Sequence, residues 1–254
     1  MNHLTIDIGN TDTVFGYWTS SEISPKILRI NTKHILSHHS LDLNHELSTV
    51  YQWLPYNQCQ ATMSSVVPLA TPKVLALIQN NISSQIKLLD QNSYPLLPIE
   101  ILRPDQIGAD LVANALAAHT LYHQDTIIVD FGTAMSFTTV NRNGKILGVS
   151  IAPGLQTAIK SLTSHAVQLF EVPLEMPSSS LGQNTEHAIQ AGIMYGYDGL
   201  VRGIIQSQEQ ELKLQLTVVA TGGLSQKITT LKDRVDHFEP YLTLMGLKIA
   251  GQYI

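Results

Sequence analysis

Along the 254 residues, short runs of β-branched and aromatic residues alternate with longer stretches of helical apolar spacing. Residues 4–8 read as a strand running into Asp7-Ile8-Gly9-Asn10-Thr11, and Val14-Phe15-Gly16-Tyr17-Trp18 follows as a second strand. The unit recurs where residues 126–129 run into Asp130-Phe131-Gly132-Thr133-Ala134, with residues 135–140 alternating small polar and apolar side chains. Asn143-Gly144 then joins two strand-like runs, 136–140 and 145–151, as a tight hairpin. Between the copies, residues 41–54, 71–80 and 107–122 have helical spacing, while 58–67 and 85–89 read as strands. Beyond them the pattern predicts a long helix over 185–207, a buried strand over 216–220 and a closing helix over 240–251. Residues 173–181 read as an exposed loop.

Strands alternating with helices define an α/β protein. Asp7 and Asp130 stand about half the chain length apart, the separation an internal duplication produces, so the chain reads as two similar domains, 1–122 and 123–254. Composition narrows the class. With 44% hydrophobic and 14% charged residues the chain buries much of its surface, which excludes disorder and points to an oligomer. Fifteen basic against 20 acidic residues give a net charge of −5 with no Lys/Arg run, the opposite of a nucleic-acid binder's footprint. A single Cys59 forms no internal disulfide and no Cys/His cluster suggests structural zinc. No stretch approaches 18 apolar residues and the first residues lack a leader's basic and apolar regions, so the expectation is a cytoplasmic protein with no membrane partner.

An acid at a strand end, a glycine free to take positive φ and polar side chains in the turn suit a phosphate and its metal ion; an ordinary β-turn can carry the same residues. Asp7-Ile8-Gly9-Asn10-Thr11 and Asp130-Phe131-Gly132-Thr133 both have this make-up, and Thr221-Gly222-Gly223 leaves bare backbone after an apolar strand, where a nucleoside could approach. Neither the P-loop nor the Rossmann glycine pattern occurs. The three motifs together resemble the superfamily of acetate and sugar kinases, heat-shock chaperones and actin. That likeness implies two similar ribonuclease-H-like domains, the duplicated actin-like ATPase fold.

Further segments in order resemble type III pantothenate kinases over essentially the whole chain: Ser64-Ser-Val-Val-Pro68, Gly108-Ala-Asp-Leu-Val-Ala-Asn114, Asp130-Phe-Gly-Thr-Ala134, Ile151-Ala-Pro-Gly-Leu155, Gly182-Gln-Asn-Thr185, Gln190-Ala-Gly-Ile193 and Thr221-Gly-Gly223. The resemblance implies ATP-dependent phosphorylation of pantothenate to 4'-phosphopantothenate, the first step of coenzyme A biosynthesis. It implies an ATP phosphate loop of Asp7, Ile8, Gly9, Asn10, Thr11, Asp12, Thr13 and Val14, with Thr133, Gly222 and Gly223 as further ATP contacts. Asp110 would be the catalytic base, and Gly108, Ala109, Asp110, Leu111 and Thr185 the pantothenate contacts. Asp130 would bind a monovalent cation, K+ or NH4+, and Asp7 would act through Mg2+. A homodimer with its acceptor pocket at the subunit interface is also implied.

Two positions depart from the family's pattern. Leu111 stands where an Arg is usual, and Ile101 where a Tyr is usual. Arg103 is the nearby cation that could replace the missing charge. Two alternatives therefore stay open: a related small-molecule kinase with another acceptor, and a non-catalytic nucleotide-binding accessory protein. Alternatively Asp110 is a mere helix-start residue. His119 and His123 read as a solvated helix end, and His34, His38, His39 and His45 as loop and surface residues. Gly192, Gly196, Gly199 and Gly203 line one side of the long helix, as either an intramolecular packing face or a dimer seam.

Overall fold

In the computed structural model, residues 2–20, 24–38, 40–54, 59–79, 85–166 and 168–254 are described, with only the backbone for residues 40 and 41. His39, Gln58 and Asn80, parts of the expectations above, lie outside them. The chain divides into two compact units, Met1–Ala117 with Thr243–Ile254, and Ala118–Leu242. A single cut between 122 and 123 leaves out the return of the chain's last dozen residues to the first unit.

The first unit begins with β1 (Asn2–Ile8), β2 (Asp12–Trp18) and β3 (Lys26–Asn31), followed by α1 (Thr32–Ser37), α2 (Ser40–Glu46) and α3 (Ser48–Trp53). It continues through β4 (Cys59–Ser65), α4 (Thr71–Gln79), β5 (Ile86–Leu88) and α5 (Ala109–Tyr122), whose first part it contains. The sheet order is β3-β2-β1-β4-β5; β2 is antiparallel to β1 and β3, while β4 is parallel to β1 and β5. Leu4, Ile6, Ile8, Phe15 and Met63 are fully buried in its core.

The second unit repeats this plan. It holds β6 (Thr126–Phe131), β7 (Ala134–Val140), β8 (Ile146–Pro153), α6 (Leu155–His165), α7 (Thr185–Leu212), β9 (Thr217–Thr221) and β10 (His237–Phe238). Its sheet order is β10-β9-β6-β7-β8, the first unit's order read from the other edge, with the same parallel and antiparallel pairs. The Asn143-Gly144 turn forms as read, with Gly144 at φ 81 and its N–H bonded to Asn141 O. The chain closes with α8 (Leu242–Ala250), which returns to the first unit; a Cβ on Gly246 would collide with the Ala113 backbone.

Several elements differ from the sequence pattern. The helix predicted over 41–54 is two helices broken at Leu47, and β3, α1 and α6 were not predicted. α7 runs five residues beyond 207 because Lys213, at φ 56, forms a left-handed cap whose N–H bonds Glu209 O. His34 is not a free surface residue, since Nε2 pairs with Glu46 Oε1, tying α1 to α2. His119 is half-buried, and its Nδ1 lacks a hydrogen-bond partner. A Cβ placed on Gly192, Gly196, Gly199 or Gly203 would meet none of the neighbouring atoms within 4 Å, so this stripe is open among the described residues. No helix is long and apolar enough to cross a membrane, among the described residues.

Candidate active site

The first polar turn sits where β1 ends against two neighbours. Asp7 lies beside Val14 of β2 and Ser64 of β4, and the Ser64 hydroxyl donates to Asp7 Oδ1 at 2.8 Å. Ser64 is buried, so this donor aims the carboxylate from one side. Gly9 N–H bonds Asp12 O at 3.0 Å, closing the turn. Gly9 does not use positive φ, contrary to expectation; glycine fits because a Cβ would stand 3.0 Å from Asp12 O. Asn10 and Thr11 are exposed at the tip. Ile8 is buried in the core, Val14 lies within β2, Thr13 packs its hydroxyl on Thr32, and Asp12 Oδ2 pairs with Arg29 at 3.3 Å.

In the second unit Asp130 holds the equivalent place on β6, beside Ser136 of β7 and Thr221 of β9. Here the glycine that takes positive φ is Gly222, at φ 88, and a Cβ on it would sit 2.7 Å from Asp130 Oδ1. The Thr221-Gly222-Gly223 turn therefore lies directly against the Asp130 carboxylate. Thr133 is exposed, and its carbonyl accepts from Gly154 N–H at 3.0 Å and from the Thr157 hydroxyl at 2.7 Å. Both aspartates present hard oxygen donors at strand ends, the ligand type Mg2+ and K+ prefer, and glycine at 222 lets the turn backbone lie against the Asp130 carboxylate.

Asp110 lies in the first turn of α5, which starts at Ala109 rather than 107. Its Oδ1 accepts the Leu111 N–H at 2.9 Å, so that amide serves the carboxylate and not a bound anion. A Cβ on Gly108 would collide with the same oxygen, which is why glycine precedes it. Burial raises the Asp110 pKa, although the amides of Leu111 and Asp110 itself pull it down. The sequence reading overlooked Tyr94, whose hydroxyl donates to Ile107 O at 3.4 Å. Burial, then the Asp110 and Asp90 carboxylates, push its pKa up to about 12, so it stays a neutral donor. Only its place in the apolar run before Gly108 signals it.

Thr185 opens α7, where Asn184 caps the helix by accepting the His187 N–H at 2.9 Å. It lines a cleft of about 550 Å³ with Leu162, Leu169, Gly182, Ile189 and Ile193. Arg103 is exposed in the segment leading to α5, and Ile101 and Leu111 are half-buried.

The repeated five-stranded sheet, with an acid at the end of the first strand of each copy, defines two ribonuclease-H-like domains of the actin-like ATPase fold. Solved structures with this fold include a conserved Baf family transcriptional activator from Campylobacter jejuni, which is 21% identical with a TM-score of 0.62, covering 98% of this chain and 97% of that one. Another is the activator of 2-hydroxyisocaproyl-CoA dehydratase from Clostridium difficile with bound ADPNP, 12% identical with a TM-score of 0.52, covering 100% of this chain and 94% of that one. The family model of type III pantothenate kinase matches residues 3–207. The type III pantothenate kinase of Moorella thermoacetica is 35% identical over 248 residues, covering 97% of both chains. The chain belongs to the type III pantothenate kinase family.

Proposed function

We propose that this kinase transfers the γ-phosphoryl group of ATP to the primary hydroxyl of pantothenate, forming 4'-phosphopantothenate and ADP, with Asp110 as base. Family membership supports the reaction. The observation that carries the role of Asp110 is a half-buried carboxylate, held by the Leu111 N–H, whose pKa burial raises, a better proton acceptor than an exposed aspartate. As the acceptor oxygen attacks phosphorus and the bond to the ADP oxygen breaks, the hydroxyl proton passes to Asp110. Tyr94 holds the backbone entering α5, and Leu111 N–H orients the carboxylate.

Asp7 through Val14 form the phosphate loop, Thr133 adds a contact, and Gly222 and Gly223 leave their backbone open to the nucleoside. Asp7 would act through Mg2+, and Asp130 would hold K+ or NH4+; bound cations neutralise charge developing on the transferred phosphoryl oxygens. Gly108, Ala109, Leu111 and Thr185 would contact pantothenate, with Arg103 supplying the cation missing at 111. We assign a homodimer, supported by the open glycine stripe of α7, and a cytoplasmic location suited to coenzyme A biosynthesis.

The test is ADP release with ATP, Mg2+ and pantothenate, with K+ present or replaced by Na+, for the protein, Asp110→Asn and Arg103→Ala. Pantothenate-dependent, K+-stimulated turnover that vanishes in Asp110→Asn is expected, with a pantothenate KM raised about tenfold in Arg103→Ala, as loss of a charged hydrogen bond implies. A folded protein that binds ATP yet fails to turn over millimolar pantothenate would mean that Leu111 and Ile101 mark another acceptor.

A further inference from the structure

The two polar turns share a feature that the motifs do not contain. Each is held from behind by the junction between the third strand of its unit and the helix that follows. In the first unit, Thr32 begins α1 directly after β3. Its hydroxyl lies 2.7 Å from Gly9 O and its N–H 2.8 Å from Thr11 O, so one buried residue grips both sides of the Gly9–Thr11 turn. Thr32 has one hydroxyl hydrogen, which goes to Gly9 O. The Thr13 hydroxyl, 3.1 Å away, therefore donates to Thr32. The result is a buried relay from Thr13 through Thr32 to the loop carbonyl.

In the second unit the junction of β8 and α6 does the same work with different residues. Gly154 N–H and the Thr157 hydroxyl both donate to Thr133 O, at 3.0 and 2.7 Å. A Cβ on Gly154 would collide with the carbonyls of Gly132 and Thr133, so the turn lies flat against the junction. In both copies a threonine hydroxyl donates to a carbonyl of the loop and so fixes the loop backbone from one side. An oriented set of N–H groups binds phosphate only while its backbone keeps one shape, and a loop free to relax loses the ordering in advance that binding otherwise supplies.

We propose that Thr32 and Thr157 are positioning residues that hold the two phosphate loops in their nucleotide-binding shape. This rests on the reading of those loops as phosphate sites. Neither threonine touches the nucleotide; each acts through a carbonyl of the loop.

The experiment titrates ADP, with Mg2+ present, into the purified full chain and into Thr32→Val, Thr32→Ser, Thr157→Val and Thr157→Ser. The valines keep the shape and lose the hydroxyl, while the serines restore it. We expect the dissociation constant to rise about tenfold in each valine variant and to stay within threefold in each serine variant, with the pantothenate KM within twofold throughout. A role confined to stability would lower the melting temperature without this split between nucleotide and acceptor. Thr157 is exposed, so Thr157→Val reads out even where the buried Thr32→Val does not fold. Folded valine variants that bind ADP within twofold of the natural protein overturn the proposal alone. A natural protein that binds no nucleotide overturns the phosphate-loop reading and the proposal with it. One that binds nucleotide but does not phosphorylate pantothenate overturns the acceptor, and the ADP comparison still decides the threonines.

Discussion

Ser64 donates its hydroxyl to Asp7 Oδ1 across the parallel pairing of β4 with β1. The donor is buried, and its neighbours Thr62 and Met63 are buried too, so it has little freedom to follow the carboxylate elsewhere. Replacing Ser64 by Ala removes that donor and weakens the hold on the Asp7 carboxylate. The KM for ATP should rise about ten- to a hundredfold, as loss of about 1.5–3 kcal/mol from a hydrogen bond to a charged group implies. Ser64→Thr, which restores a hydroxyl, should recover part of the loss, and steady-state kinetics at saturating pantothenate checks both.

Asp110 couples activity to pH and to stability. Its pKa is raised by burial, so the carboxylate form needed to accept a proton disappears as pH falls through the raised value. The acid limb of kcat/KM should therefore lie above the ordinary aspartate range, and Asp110→Asn should lower kcat by about 10²–10⁴-fold. The folded state holds this proton more tightly than the unfolded chain, so stability is lost as pH rises through the raised value. At neutral pH the protein carries that cost, and Asp110→Asn should melt higher than the natural protein while being inactive. Calorimetry at pH 7 beside pH-rate profiles measures both effects.

His3 gives a second pH dependence, separate from catalysis. It is buried against Thr62, its Nε2 2.9 Å from that hydroxyl, and burial with Lys248 and Lys87 nearby lowers its pKa to about 4. The unfolded chain then binds a proton that the folded chain refuses, so stability should be complete above about pH 6.5 and fall progressively toward pH 4. The full loss is about 3 kcal/mol. Urea melts of the natural protein and His3→Gln between pH 4 and 7 should show a steeper decline in the natural protein.

Gly246 should tolerate no side chain. A Cβ there would collide with the carbonyl of Ala113, which is backbone and cannot swing aside. Gly246→Ala should destabilise the protein by about 1–3 kcal/mol, the range for overpacking a filled interior. Gly192→Ala, on the open stripe where an added Cβ meets nothing within 4 Å, is the contrasting variant. Its monomer should melt no lower, because alanine stiffens an exposed helix.

The chain's local patterns determined much of this molecule. Alternation and β-branched runs marked β1, β2, β6, β7 and β9, the Asn143-Gly144 pair marked its hairpin, and the repeated acid-glycine turns disclosed the duplication and both candidate phosphate loops. α6 was not read from the sequence, although its apolar residues 155, 158, 159 and 162 recur at helical spacing. Nor was β3: it is an edge strand with exposed Lys26 and Asn31, and Ile30 alone is buried, so it lacks a clear alternation. Tertiary structure decided what depends on distant residues meeting. The return of α8 to the first unit, the Ser64 donor on Asp7, the closeness of Gly222 to Asp130 and the threonine grips on the loops all join positions far apart in sequence. Propensity and periodicity report only on neighbours a few residues away, whereas strand pairing and side-chain hydrogen bonds are chosen by the packing of the whole unit.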